Sequence, residues 1–285
     1  MHRDRTQNPD RPVLVVGSTG KTGRRVLERL QAAGVATREG SRHAAIAFDW
    51  NDDTTWAPAL DGVRAAYVSF HPDLAVPHAA AAITRFTELA KDAGVEHLVL
   101  LSGRGEDAAR QCERIVEDSG LRWTVIRASW FAQNFSEGFL LDMVRDGTVA
   151  LPVGDVREPF VDVEDIADVA AKALTTTDLD DRLVEVTGPR LMTFAEAAGE
   201  VSEATGRTID VVEIAHEDFL AGALKAGVPG AYVQLLDFLF REVLDGRNES
   251  TTDGVESALG RPAGDFRDYV ARTVSTGVWN EEAVR

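Results

Sequence analysis

The sequence predicts an α/β chain: a Rossmann-like, doubly wound parallel sheet joined to a smaller, mainly helical C-terminal part that binds substrate. Three observations carry that expectation. The apolar run Val13-Leu14-Val15-Val16 ends directly in a glycine-rich turn that opens a helical pattern. Short β-branched runs then alternate with amphipathic stretches as far as Ala128. Beyond Ala128 the alternation loosens into helical spacing.

In order along the chain, the first run is a buried strand, and Val26, Leu27 and Leu30 line one face of the helix after it. Strands are expected near 35–39 and 44–48, at Ala65-Ala66-Tyr67-Val68-Ser69 and over 97–102, with an Ala-rich helix from about 75 to 93. A helix over about 106–119 stops at Ser119-Gly120 and feeds Trp123-Thr124-Val125-Ile126-Arg127, counted as the sixth strand. A helix near 131–145 follows, then short strands near 148–151 and 182–187. Between those strands Ile166, Val169, Ala170 and Ala173 share a helix face, and one more strand is expected over 209–214. The expected division is a flexible tail over 1–10, a dinucleotide-binding domain over 11–150 to which segments about 160–188 return, and a helical substrate-binding part over about 189–285.

The composition, 44% hydrophobic and 27% charged over 285 residues, is that of an ordinary globular chain and excludes disorder or a fibre. With 47 acidic against 30 basic residues the net charge is -17, the wrong sign for a protein that neutralises phosphates, so nucleic acid is not an expected partner. The single cysteine, Cys112, forms no internal disulfide, and no Cys-x-x-Cys or His-x-x-x-His spacing suggests a metal. Residues 1–10 lack the apolar core of a signal peptide, and no run approaches the roughly 20 apolar residues of a membrane span. A cytoplasmic monomer or homodimer acting on a small molecule is expected.

Gly17-Ser18-Thr19-Gly20-Lys21-Thr22-Gly23 sets three glycines at intervals of three between a strand and a helix. Such glycines allow a tight turn, close approach of a pyrophosphate and close helix packing, with the helix N-terminus facing the anion. A triphosphate-binding loop would need a further glycine five positions before Gly20, where Val15 stands inside the strand. The other reading is a plain strand-to-helix turn. Cofactor type is decided at the end of the second strand: Glu39 suits the ribose hydroxyl of NAD, whereas Ser41 and Arg42 suit the 2′-phosphate of NADP. NADP is expected over NAD.

VLVVGSTGKTG at 13–23, VLLSG at 99–103, WTVIRASWFAQNF at 123–135 and FVDVEDIADVA at 160–170 resemble the NmrA-like branch of the atypical short-chain dehydrogenase/reductases over nearly the whole chain. AFDWNDDTTW at 47–56 and VEVTGPRLMTFAEAA at 184–198 are most similar to the ergot-alkaloid reductases of the festuclavine synthase and agroclavine dehydrogenase type. The resemblance implies pyrophosphate contacts from Gly17 through Thr22, with Gly23 packing the helix, and adenosine contacts from Ser41 and Arg42. It further implies Asp49 and Trp50 beside the adenine, and Ser69, Phe70, Leu101, Ser102 and Gly103 along the cofactor at strand ends. For Asp49 and Trp50 a surface turn capped by a packed tryptophan is the competing reading.

A typical member of that superfamily protonates an alkoxide with a tyrosine whose pKa is lowered by a lysine four positions on. Here Tyr67, Tyr232 and Tyr269 are followed at that spacing by His71, Leu236 and Thr273. Carbonyl reduction through that pair is therefore rejected. Two classes survive: a reductase of substrates that need no buried acid (an iminium, quinone or enone), or a non-catalytic NADP(H)-binding sensor. The enzyme is preferred because the C-terminal third is apolar enough to enclose a small molecule. Catalytic residues stay unassigned; Ser102, Trp130 and Phe131 are the pocket candidates, the last two projecting over the nicotinamide or simply packing.

Overall fold

A computed structural model describes residues 11–280. Its contacts divide into two compact units, each built from non-contiguous stretches of chain.

In the first unit β1 (Val13–Val16) is wholly buried, as a strand covered on both faces must be. It pairs on one side with β2 (Thr37–Gly40) and on the other with β3 (Ala65–Val68). The sheet continues through β4 (His97–Gly103), β5 (Arg122–Ala128) and β8 (Arg182–Val186) in the order β2-β1-β3-β4-β5-β8, every pair parallel. The chain reverses its direction of travel across the sheet between β1 and β3, so the ends of these two strands flank the crevice where doubly wound sheets take ligands. α1 (Lys21–Ala32) and α7 (Val163–Thr175) pack on each other, Arg25 bonding Glu164 at 2.5 Å and Arg29 bonding Glu164 at 2.7 Å and also Asp168. α2 (Trp56–Leu60), α3 (Ala79–Asp92) and α4 (Asp107–Glu117) enclose a core containing Phe48, Trp56, Ile83, Phe86 and Leu98. α11 (Gly254–Leu259) also belongs here.

The second unit comprises residues 129–162, 187–253 and the described residues from Pro262. It holds two small sheets, parallel β6 (Thr148–Leu151) with β10 (Asp210–Glu213) and antiparallel β7 (Arg157–Glu158) with β9 (Met192–Thr193). Helices α5 (Asn134–Glu137), α6 (Leu140–Arg145), α8 (Phe194–Thr205), α9 (His216–Lys225), α10 (Gly230–Phe238) and α12 (Phe266–Val274) surround a second core of Phe135, Phe160, Phe194, Phe266, Tyr269 and Trp279. α8 begins with a reciprocal cap between Thr193 and Glu196, and α10 runs into a π-helical turn over Leu239–Val243.

Three expectations are corrected. Residues 44–48 form no strand: Ala44 and Phe48 N–H both fold back onto the Ser41 carbonyl, which leaves nothing to extend the sheet beyond β2. The strands expected as fourth, fifth and sixth are therefore β3, β4 and β5. The single helix near 131–145 is two short ones interrupted at Gly138, whose extended backbone breaks the helical hydrogen bonding. The unit boundary falls after Ala128 instead of near 150, because Ala132, Phe135, Leu140 and Val144 are buried in the second core. The expected tail over 1–10 lies outside the described residues. Among those described, no helix is long and apolar enough to cross a membrane.

Candidate functional site

β1 ends where Gly17 adopts a left-handed backbone, φ +73°, with its N–H donating to the Gly40 carbonyl at 2.8 Å. A side chain there would be strained, and its Cβ would meet that of Ser69 at 3.4 Å. A Cβ on Gly23 would fall 2.1 Å from the Gly17 carbonyl oxygen, so the first turn of α1 lies flush on the loop only because residue 23 has no side chain. α1 starts without a side-chain cap and without an acid in its first turn, so its positive dipole end faces no protein anion of its own first turn. Ser18 is 4% exposed, and its hydroxyl has no hydrogen-bond partner among the described residues. An orphaned buried hydroxyl beside a bare helix N-terminus fits a bound phosphate. Thr19 and Gly20 are exposed, Lys21 is half-buried and Thr22 buried.

Ser41 and Arg42 follow β2, Ser41 half-buried and Arg42 exposed with no ion pair among the described residues. Asp49 and Trp50 sit in the following turn. The Asp49 carboxylate accepts from the Asn51 N–H at 3.0 Å, and its carbonyl accepts from the Trp56 indole at 2.7 Å. The Trp50 indole donates to the Ser69 carbonyl at 3.0 Å while its ring packs against Phe48, Phe70 and Phe86. Trp50 thus ties the loop after β2 to the end of β3, a packing role that sequence had left open against adenine contact. His71, which sequence reasoning missed, lies in the field of Arg42 and Asp49; burial first, and Arg42 next, lower its pKa.

At the end of β4, Leu101 and Gly103 are half-buried and Ser102 is buried. The Ser102 hydroxyl donates to Glu113 at 2.6 Å; Glu113 is also bound by Arg127, which reaches Glu185, as does Arg104 at 2.7 Å. Tyr67 is fully buried, its hydroxyl beside Thr22 in a geometry short of a hydrogen bond; burial pushes the phenol up and Thr22 offsets only part of that. Tyr269 is raised by burial too, and its hydroxyl donates to Ser136 at 2.7 Å inside the second unit. Burial, then the charges of Glu113, Asp73 and Glu106, push the Cys112 thiol up to about 11, which makes it a poor nucleophile. Two further carboxyls, Asp73 after β3 and Glu106 after β4, also escaped the sequence reading, because Glu106 ahead of α4 is written like any helix-capping acid. Among the described residues no group of three His, Cys, Asp or Glu could hold a metal ion.

Trp130 and Phe131 belong to the second unit. The Trp130 ring packs edge-on against Phe194 at 6.1 Å and Phe240 at 5.9 Å, and its buried indole N–H has no acceptor among the described residues. Phe131 bridges to Val161.

Residues 17–177 match a family described as NAD(P)H-binding. The chain is 31% identical over 281 residues to NAD(P)H azoreductase of Xenophilus azovorans, covering 90% of this chain and 96% of that protein. It is 28% identical to Prestalk A differentiation protein A of Dictyostelium discoideum, covering 92% of both. To agroclavine dehydrogenase of Claviceps fusiformis it is 27% identical, covering 91% of this chain and 96% of that one. Among solved structures, triphenylmethane reductase of Citrobacter sp., complexed with NADP(H), superposes with a TM-score of 0.73 at 19% identity over 92% of this chain and 99% of that one, a likeness of fold. The match from the glycine loop through α7, together with relatives over nearly the full length that are named as an azoreductase and a dehydrogenase, places the chain in the NAD(P)H-binding family as an NAD(P)H-dependent oxidoreductase.

Proposed function

We propose that the protein is an NADPH-dependent reductase of activated small molecules, an iminium, quinone or enone, that works without a Tyr–Lys pair. The observation that carries this reading is the state of its possible acids: no tyrosine is followed four positions on by lysine, Tyr67 and Tyr269 are buried with raised pKa, and the Ser102 proton is engaged by Glu113. The names of the relatives, an azoreductase and a clavine dehydrogenase, support substrates with C–N or N–N unsaturation.

Bound NADPH supplies the hydride. The Gly17–Gly23 loop and the α1 N-terminus hold the pyrophosphate, the orphaned Ser18 hydroxyl among the donors, while Ser41 and Arg42 take the 2′-phosphate. Ser69, Phe70, Leu101, Ser102 and Gly103 line the cofactor at the strand ends, and Asp49 and Trp50 shape the adenine end. Trp130 and Phe131 are assigned to the substrate, the unanswered indole N–H being the support for Trp130. The enzyme is assigned to a reducing compartment as a monomer or homodimer.

NADPH oxidation against a panel of cyclic imines, quinones and enones tests the proposal. Turnover of one class, with simple ketones and aldehydes inert, is expected; ketone reduction at comparable rates overturns the donor-free reading, and silence across the panel overturns the substrate assignment.

A further inference from the structure

Glu106 is the N-cap residue of α4, with the extended backbone of that position (φ -104°, ψ 112°), yet its carboxylate makes no cap hydrogen bond. An acid at this position ordinarily accepts from the first-turn N–H groups. Glu106 instead folds back over Gly103, the last residue of β4: a Cβ on Gly103 would lie 2.1 Å from its Oε1 and 2.6 Å from its Oε2. The carboxyl thus takes the place of the side chain that residue 103 lacks. Glu106 is 6% exposed, and its Oε2 has no hydrogen-bond partner among the described residues.

The acid one helix face away is in a different condition. Glu113 accepts from Arg127 at 2.5 and 2.9 Å and from the Ser102 hydroxyl at 2.6 Å, so its charge is answered within the protein. Among the described residues no lysine, arginine or histidine pairs with Glu106. Burial first, then the negative charges of Asp73 and Glu113, hold its carboxyl well above the usual carboxylate range. A positive group brought against such a carboxyl favours its ionised form and supplies the partner it lacks.

The strand order says which part of a bound complex lies there. In the order β2-β1-β3-β4-β5-β8, the adenosine end of a dinucleotide is read past β2 and its pyrophosphate past β1. The other half then runs across the ends of β3 and β4, which puts the reacting ring and its substrate beside Gly103 and the Glu106 carboxyl.

We infer that Glu106 is the counter-ion of a cationic substrate, which selects the iminium from the classes proposed above and sets quinones and enones aside. The inference rests on the cofactor reading. Hydride from NADPH adds at the iminium carbon, the C=N π pair becomes the nitrogen lone pair, and NADP⁺ and a neutral amine remain. No proton is transferred, so Glu106 recognises the substrate and takes no part in the step.

N-methylquinolinium and its uncharged isostere methylnaphthalene are the probes, titrated by calorimetry into the protein saturated with the tetrahydro analogue of NADPH, whose ring is uncharged and gives no hydride. The unmodified protein should bind the cation at least about tenfold more tightly than the isostere, the margin of one charge-assisted contact. Glu106→Gln keeps the shape of the side chain and removes its charge; the two affinities should then agree within about twofold, the cation alone having lost. In Gly103→Ala the new methyl claims the place of the carboxyl, the flexible Glu106 side chain yields, and the preference should vanish in the same way. No preference in the unmodified protein, a preference that survives in both variants, or a loss shared equally by both probes overturns the inference. Failure of the analogue to bind overturns the cofactor reading instead, and the same titrations on the unliganded protein then decide the Glu106 site by itself.

Discussion

Arg42 and Tyr67 show how far a single side chain can be argued. Arg42 is exposed, follows the strand end where dinucleotide folds read the ribose, and among the described residues forms no ion pair that a 2′-phosphate would have to displace. Arg42→Ala should therefore weaken NADPH binding by roughly tenfold while changing NADH binding little, since a guanidinium–phosphate contact is charge-assisted. Fluorescence titration with both cofactors checks it, and equal losses would move the assignment toward Glu39 and NAD. Tyr67 is the opposite case: its buried hydroxyl has no hydrogen-bond partner among the described residues, so removing it leaves none of them stranded. Tyr67→Phe should fold with stability changed by less than about 1 kcal/mol and keep most of its turnover. Tyr269→Phe strands Ser136 and should cost about 1 kcal/mol while also keeping turnover. A folded phenylalanine variant that binds cofactor and substrate but turns nothing over would contradict the donor-free mechanism.

The glycine loop separates folding from binding within one element. At Gly20 a Cβ would stand 3.2 Å from the Gly17 carbonyl, tight but open to small adjustment, and the backbone there is extended. Gly20→Val should fold and lose dinucleotide binding, because the branched side chain fills the space the pyrophosphate needs. At Gly23 the clash, 2.1 Å, is with backbone that cannot move without lifting α1 from β1. Gly23→Ala should lower the melting temperature by several degrees, equivalent to roughly 2 kcal/mol or more, and lose binding with it. Paired melting and titration curves read both effects; a fully stable Gly23→Ala would mean that the helix does not rest on the loop as described.

The whole molecule is threaded so that neither unit is one stretch of chain. The first unit takes residues 163–186 and 254–261 from between stretches of the second. β8 extends the sheet beyond β5, and α7 covers α1 through the Glu164 contacts with Arg25 and Arg29. A fragment of residues 11–150, the first stretch that the sequence reading assigns to the dinucleotide-binding domain, lacks β8, α7 and α11 and carries Phe135, Leu140 and Val144 without their core. It should give no cooperative thermal transition and should aggregate, its apolar surface and sheet edge being uncovered. A sharp, reversible melt of that fragment would show that the later segments are dispensable.

Much of this was open to reading because it is local. The run Val13-Leu14-Val15-Val16, the glycine spacing after it and the absence of a Tyr–Lys pair are properties of adjacent residues, and periodicity and turn chemistry act over that range. The strands β3, β4, β5 and β8 were legible for the same reason, whereas 44–48 has strand composition but folds back onto the Ser41 carbonyl instead of pairing along β2. Everything that required distant residues to meet was decided by the tertiary structure. The boundary after Ala128 depends on which core buries Phe135, the role of Trp50 on the Ser69 carbonyl just past β3, and the Ser102 proton on Glu113 and Arg127. Glu106 is the clearest instance: by sequence it is a helix cap, whereas the fold buries it against Gly103, and burial first holds its carboxyl well above the usual carboxylate range.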